Sequence, residues 1–259
     1  MDNNIIGVFD SGVGGLTVFS KLIKKLPEEN YVYYGDTQNI PYGNKTKEEL
    51  INLTQNIFDF YSKKNAKAVV MACNTTSAIT YDILKNNYDF LIYPVTQIAA
   101  KFVSSKGVKR IGVLSTEATA KSHAYKNAIQ KENPEIEVIE LACPGWVEIV
   151  ENNTLSDLES IELIKINLLE MLKNEPEIII LGCTHYPFLK QQLIELTGKD
   201  IFLDPAESFV NYISDDLKEK NLLAQKRTIE PEFFVSSNPA KFKEAAKLFY
   251  ELDNIPTIA

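Results

Sequence analysis

The chain of 259 residues is 45% apolar and 24% charged, a composition that buries a sizeable core as one large or two small domains and excludes a disordered or fibrous protein. Its 35 acidic against 27 basic side chains leave a net charge of −8, which disfavours nucleic acid or an anionic membrane as main partner, because both call for a basic surface; a small soluble substrate fits better. Met1-Asp2-Asn3-Asn4 opens no signal peptide, no apolar run approaches the ~18 residues of a membrane span, and Cys73, Cys143 and Cys183 form neither an even disulfide set nor a Cys-x-x-Cys pair, so a cytoplasmic protein with free thiols is expected.

In chain order, strands are predicted over 5–9, 31–34, 68–72, 110–114, 137–141, 177–181 and 233–236, with weaker candidates at 91–93 and 201–203. Helices with apolar spacing of three and four fall at 48–63, 155–172 and 206–220. The alternation predicts an α/β protein with parallel strands buried on both faces. An internal echo supplies the domain signal: Ile6-Gly7-Val8-Phe9-Asp10-Ser11 resembles Ile111-Gly112-Val113-Leu114-Ser115-Thr116 at an offset of 105, and Val69 to Thr75 resembles Ile179 to His185 at an offset of 110. Two pseudo-symmetric lobes are therefore expected, each a mainly parallel sheet flanked by helices, with the active site in the crevice between them. The first takes residues 1–96 plus 207–259, the tail returning to complete it, and the second takes residues 97–206.

Two strand exits carry the most informative residues. Cys73 precedes Asn74-Thr75-Thr76-Ser77, and Cys183 precedes Thr184-His185-Tyr186-Pro187, both suited to starting a helix. In open parallel sheets the carboxyl ends of strands form the ligand crevice, and the N–H groups of the next helix offer partial positive charge. Such a position lowers a thiol pKa and holds carboxylates. One such cysteine alone reads more readily as a small buried hydrophobe. The matched contexts reverse that preference and place Cys73 and Cys183 on opposite sides of one small ligand, as stereoinversion at carbon requires: one base takes a proton from one face while the other group's conjugate acid supplies one to the opposite face.

Cys143, in Ala142-Cys143-Pro144, has no such twin and reads as structural. Zinc on Cys73, Cys183 and His185 would lack a fourth ligand and the usual spacings, so no metal is expected. Asp10-Ser11-Gly12-Val13-Gly14-Gly15 fails as a dinucleotide fingerprint, since Thr17 stands where the third Gly belongs. It is either a Gly-rich turn bringing Asp10 and Ser11 to a small anionic ligand or an ordinary tight turn with Asp10 as helix cap. Tyr42-Gly43 is likewise a turn or a lip over the substrate. His185 lies near enough to tune Cys183, whereas His123 reads as structural or exposed. Glu151 projects into the crevice or belongs to a solvated helix face, and the residues alone do not choose.

Taken together, Gly7-Val8-Phe9-Asp10-Ser11-Gly12-Val13-Gly14-Gly15-Leu16, Gly35-Asp36-Thr37 with Pro41-Tyr42-Gly43, Ala72-Cys73-Asn74-Thr75, Ala142-Cys143-Pro144 and Gly182-Cys183-Thr184-His185-Tyr186-Pro187 resemble the glutamate racemases, cofactor-independent members of the aspartate/glutamate racemase superfamily. The matching segments span about residues 5 to 210. The resemblance implies interconversion of L- and D-glutamate without pyridoxal phosphate, other cofactor or metal, supplying D-glutamate for peptidoglycan. By position, Cys73 resembles the base acting on D-glutamate, assisted by Asp10, and Cys183 the base acting on L-glutamate, assisted by Glu151 and His185. Asp10, Ser11, Tyr42, Gly43, Asn74, Thr75, Thr184 and His185 resemble substrate contacts, with Thr116 and Thr119 as further ones. The chain departs from the pattern at Gln38-Asn39-Ile40, Ala118 and Gly145-Trp146, and Glu148 competes with Glu151 for its role. An aspartate racemase, another cofactor-free amino-acid racemase or a non-catalytic amino-acid binding protein are the alternatives. A homodimer stays open.

Overall fold

Strands apolar along their whole length have no face to give to water, so helices must cover both sides of the sheets they form. The computed structural model describes residues 2–259. Its first sheet is built from β1 (Ile6–Asp10), β2 (Tyr31–Gly35), β3 (Ala68–Met71) and β4 (Leu91–Pro94), and its second from β5 (Arg110–Ser115), β6 (Glu137–Ala142), β7 (Ile178–Gly182) and β8 (Phe202–Leu203). Two late strands, β9 (Glu232–Val235) and β10 (Thr257–Ile258), return to the first sheet. Every pairing is parallel.

The sequence echo appears as shared topology. The first sheet runs β10-β9-β2-β1-β3-β4 and the second β6-β5-β7-β8, so β2-β1-β3-β4 and β6-β5-β7-β8 are the same arrangement. Even the register repeats: Gly7 lies opposite Val69 in the first sheet, and Gly112 opposite Ile179 in the second. Side-chain alternation then fills two layers per sheet. Ile6, Val8, Ala68 and Val70 pack on one face of the first sheet, and Phe9, Val69 and Met71 on the other. In β7, Ile179 and Leu181 face one layer and Ile180 the other. Each such fully buried aliphatic side chain contributes about 1.5–3 kcal/mol against exposure.

Predicted helices appear with local adjustments. The helix Lys47–Lys63 starts at a reciprocal cap, in which Thr46 Oγ1 accepts from Glu49 N and Glu49 Oε2 accepts from Thr46 N. The helix predicted from residue 155 begins only at Leu158, because Asn153 takes a left-handed conformation (φ 54°) and turns the chain before Asp157. The helix Ala206–Glu219 leads back towards the first sheet. Strand β10, only two residues long behind Pro256, gave no periodic signal. Among the described residues no helix is long and apolar enough to cross a membrane.

Candidate active site

The strands deliver their chemistry at their carboxyl ends. Both β1 and β3 stop at the crevice with Asp10 and, just past β3, Cys73; β5 and β7 arrive from the other side with Thr116 and Cys183. Between them lies a cavity of about 350 Å³, at the small end of the range for small-molecule sites. Ser11, Tyr42, Gly43, Cys73, Asn74, Thr75, Thr116, Glu151, Cys183, Thr184 and His185 all line it. Two expected contacts do not. Asp10 is wholly buried, its carboxylate turned inward to accept from Gly12 N at 3.0 Å and Thr184 Oγ1 at 3.3 Å. Thr119, also fully buried, reaches the cavity only through Thr75 and Thr116, whose hydroxyls stand 3.3 and 3.0 Å from its own.

The first-lobe wall is set by the helix Asn74–Leu84. Cys73 is its N-cap residue, extended at φ −65° and ψ 118°, and its carbonyl accepts from Ser77 N at 3.1 Å. The first N–H groups of this helix thus have no partner within it and face the cavity end. The expected lowering of the Cys73 pKa is nevertheless overturned. Burial, reinforced by the Asp10 charge, pushes this thiol up to about 12, outweighing the hydrogen bonds from Thr76. Asp10 is itself raised, because its own desolvation exceeds the opposing pull of His185 and of the Gly12, Gly15 and Thr184 donors.

Cys183 is held differently. Its carbonyl accepts from Tyr186 N at 3.1 Å, and the chain then enters a short 3₁₀ turn, Tyr186–Leu189, with Pro187 in its first turn, before the helix Lys190–Thr197. The thiol therefore stands before a tight turn rather than an α-helix start. Its support is a side-chain relay. His185 Nδ1 lies 3.8 Å from Cys183 Sγ and Nε2 lies 3.1 Å from Glu151 Oε1. Burial opposes a charge on His185, but its bonds to Cys183 and Glu151 prevail and bring its pKa to about 10. A protonated ring donates in both directions, toward the sulfur and the carboxylate. The contact also separates the two glutamates: Glu151 reaches His185, whereas Glu148 only lines the cavity.

Close approach of the lobes depends on Gly14. A Cβ there would lie 2.7 and 2.8 Å from His185 Cε1 and Nδ1, and closer still to Thr184 Oγ1. Tyr42 is buried on the opposite rim with its hydroxyl donating to Asp36 Oδ2, and Asn39 Nδ2 bonds the same carboxylate at 2.9 and 3.0 Å. Asp36, in the motif but unassigned there, thus fixes the Tyr42-Gly43 lip. Cys143 is buried yet borders the cavity, and desolvation pushes its thiol well above the usual range. His123 stays outside, exposed and paired with Glu140 at 2.9 Å. Phe249, which no sequence motif marks, packs edge-on against His185 (6.0 Å between centroids) and Phe188 (4.5 Å). It lies in the C-terminal segment beyond any periodic pattern. Among the described residues no cluster of three or more His, Cys, Asp or Glu side chains is arranged to hold a metal ion.

The Asp/Glu/hydantoin racemase family model matches residues 6–213. A glutamate racemase of Carboxydothermus hydrogenoformans is 40% identical over 255 residues, covering 98% of this chain and 95% of that protein. Among solved structures, a glutamate racemase isoform of Bacillus anthracis superposes with a TM-score of 0.92 at 31% identity, and the Francisella tularensis glutamate racemase in complex with D-glutamate with 0.91 at 32% identity. Each covers all of this chain and is itself covered to 97%.

Proposed function

We infer that this chain, which belongs to the glutamate racemase family, interconverts L- and D-glutamate with Cys73 and Cys183 as the two proton-transferring groups. The supporting observation is that both thiols border one small cavity from opposite lobes, each backed by its own partner, the buried Asp10 for Cys73 and, for Cys183, the buried His185 with the half-buried Glu151 behind it. Beginning from L-glutamate, the Cys183 thiolate takes the α-proton, and the Cys73 thiol gives its proton to the opposite face of the same carbon. One C–H bond breaks and one forms, and the negative charge passes from Cys183 to Cys73. The reverse sequence consumes D-glutamate.

The surroundings of the two thiols differ. Burial and Asp10 keep a proton on Cys73, while an imidazolium at His185 donates toward Cys183 Sγ and stabilises negative charge there. The α-proton is a weak acid, so the carbanionic transition state needs preorganised donors. The N–H groups at the start of the helix Asn74–Leu84 and the hydroxyls of Ser11, Thr75 and Thr116 supply them, with Tyr42-Gly43 closing the rim. Asp10 and Thr119 act from behind the wall, not by touching substrate.

Within the division into 1–96 plus 207–259 and 97–206, the described residues of each part are organised on their own sheet, so the crevice is an inter-lobe site. D-Glutamate made here serves peptidoglycan synthesis, and a reducing cytoplasm keeps the three thiols free. The test is to incubate chelator-treated protein with L-glutamate in deuterated water, without pyridoxal phosphate, and follow optical activity. Decay to zero rotation supports the assignment. Intact rotation with glutamate but decay with L-aspartate would replace glutamate by aspartate, and no decay with either would leave a binding protein.

A further inference from the structure

On the reading that the cavity holds glutamate, we propose that Tyr125 is a positioning residue that decides which end of the Asn74 carboxamide faces the substrate. Tyr125 stands near the start of the helix Ala124–Glu132, its ring fully buried in the second sheet's core with Ile111 and Ile180. Gly182 makes room for it, since a Cβ there would sit 3.2 Å from Tyr125 Cε2. From that core the hydroxyl crosses between the sheets and donates to Asn74 Oδ1 at 2.6 Å. Asn74 is 4% exposed and forms part of the cavity wall next to Cys73.

A carboxamide presents an acceptor oxygen and a donor nitrogen of nearly the same shape, so its orientation follows its partners. A phenolic hydrogen buried this deeply needs an acceptor, because leaving it unpaired costs its full desolvation. Burial also keeps the phenol protonated well beyond neutral pH. The Thr96 hydroxyl also meets the Tyr125 oxygen, as a donor to it, so the phenolic hydrogen goes to Asn74 Oδ1 at 2.6 Å and the Nδ2 hydrogens are left for the cavity, where a carboxylate accepts them. Reversed, Asn74 would aim its oxygen at that carboxylate. The main chain leaves little other freedom: Thr96 Oγ1 donates to Asn74 O at 3.3 Å, which holds this end of the helix Asn74–Leu84 in place.

Tyr125→Phe removes one oxygen and keeps the ring. KM for both enantiomers should rise about tenfold, with kcat held within about threefold. Asn74→Ala should raise KM similarly, and adding Tyr125→Phe to it should change KM less than about twofold, because the bond being broken is already gone. Unchanged KM in Tyr125→Phe, or full additivity with Asn74→Ala, overturns the proposal, as does a loss of melting temperature and kcat without a KM effect. Wild-type protein that fails to racemise glutamate would instead count against the functional reading. A readout in the unmutated chain covers a variant that does not fold: the side-chain ¹⁵N amide signal of Asn74 should shift on saturation with D-glutamate, and a stationary signal rejects the idea.

Discussion

Gly14→Ala tests how tightly the lobes must meet. The added methyl would lie 2.7 Å from His185 Cε1 and 2.8 Å from Nδ1, with Thr184 Oγ1 nearer still. Neither neighbour has free space, since Thr184 is 7% exposed and His185 3%. To reach ordinary contact the His185 ring must retreat by about 0.7 Å, which disturbs the 3.8 Å approach to Cys183 and the 3.1 Å bond to Glu151. The Thr184 hydroxyl must also leave Asp10 Oδ2, at 3.3 Å, a bond to a buried carboxyl worth about 1.5–3 kcal/mol. Overpacking costs a further ~1–3 kcal/mol where the site cannot yield. A displacement approaching 1 Å at reacting groups lowers rate by about 100-fold. Polarimetric racemisation from each enantiomer should show kcat/KM falling about 100-fold, with melting lowered by roughly 5–24 °C. A variant within threefold of wild type would refute the reasoning, because the crevice would then have slack that these distances deny.

Glu151→Gln should bring the alkaline limb of the pH–rate profile down by about one unit or more, since losing the carboxylate lowers the His185 pKa from about 10; an unmoved limb would mean that His185 does not govern it. Stability carries the same sign. Folded protein keeps the His185 proton up to about pH 10, while an unfolded imidazole releases it near its ordinary value of 6.5. The stabilisation is complete below about 6.5 and is lost as pH rises through 10. Urea midpoints should therefore fall between pH 7 and 10 more steeply in wild type than in His185→Asn, and parallel curves would contradict this. Phe249→Ala uncovers the His185 ring and removes the contact with Phe188; about 1–3 kcal/mol of stability should go in chemical denaturation, and a change under about 0.5 kcal/mol would show that Phe249 does not hold the lobes.

Among the described residues ten strands alternate with helices because short β-branched runs and 3.6-residue spacing are local signals, and nine of them were legible from those signals. The repeated order of β2-β1-β3-β4 and β6-β5-β7-β8 was also legible, because equivalent strands keep similar exits: Asp10-Ser11 against Ser115-Thr116, Cys73-Asn74 against Cys183-Thr184. What pattern could not reveal is orientation and burial. Asp10 turns inward because Gly12 N and Thr184 supply its donors, and Thr184 is 174 residues away in sequence. The Cys73 thiol rises rather than falls because desolvation depends on side chains from several elements, not on the helix start alone. Tyr125 and Phe249 reach the site from the second sheet's core and from the C-terminal segment, across separations that leave no local trace. Glu151, undecided between a crevice and a solvated helix face, is separated from Glu148 only by its contact with His185.

The central claim is that two thiols act on opposite faces of one carbon, and isotope placement tests it most directly. Protein in deuterated water is given L-glutamate, and both enantiomers are separated after less than a tenth of the approach to equilibrium. The account predicts that D-glutamate carries one α-deuterium while recovered L-glutamate carries almost none, and that Cys73→Ser and Cys183→Ser each abolish racemisation. Deuterium appearing equally in both enantiomers from the outset would point to one base serving both faces, and racemisation surviving either substitution would contradict the account.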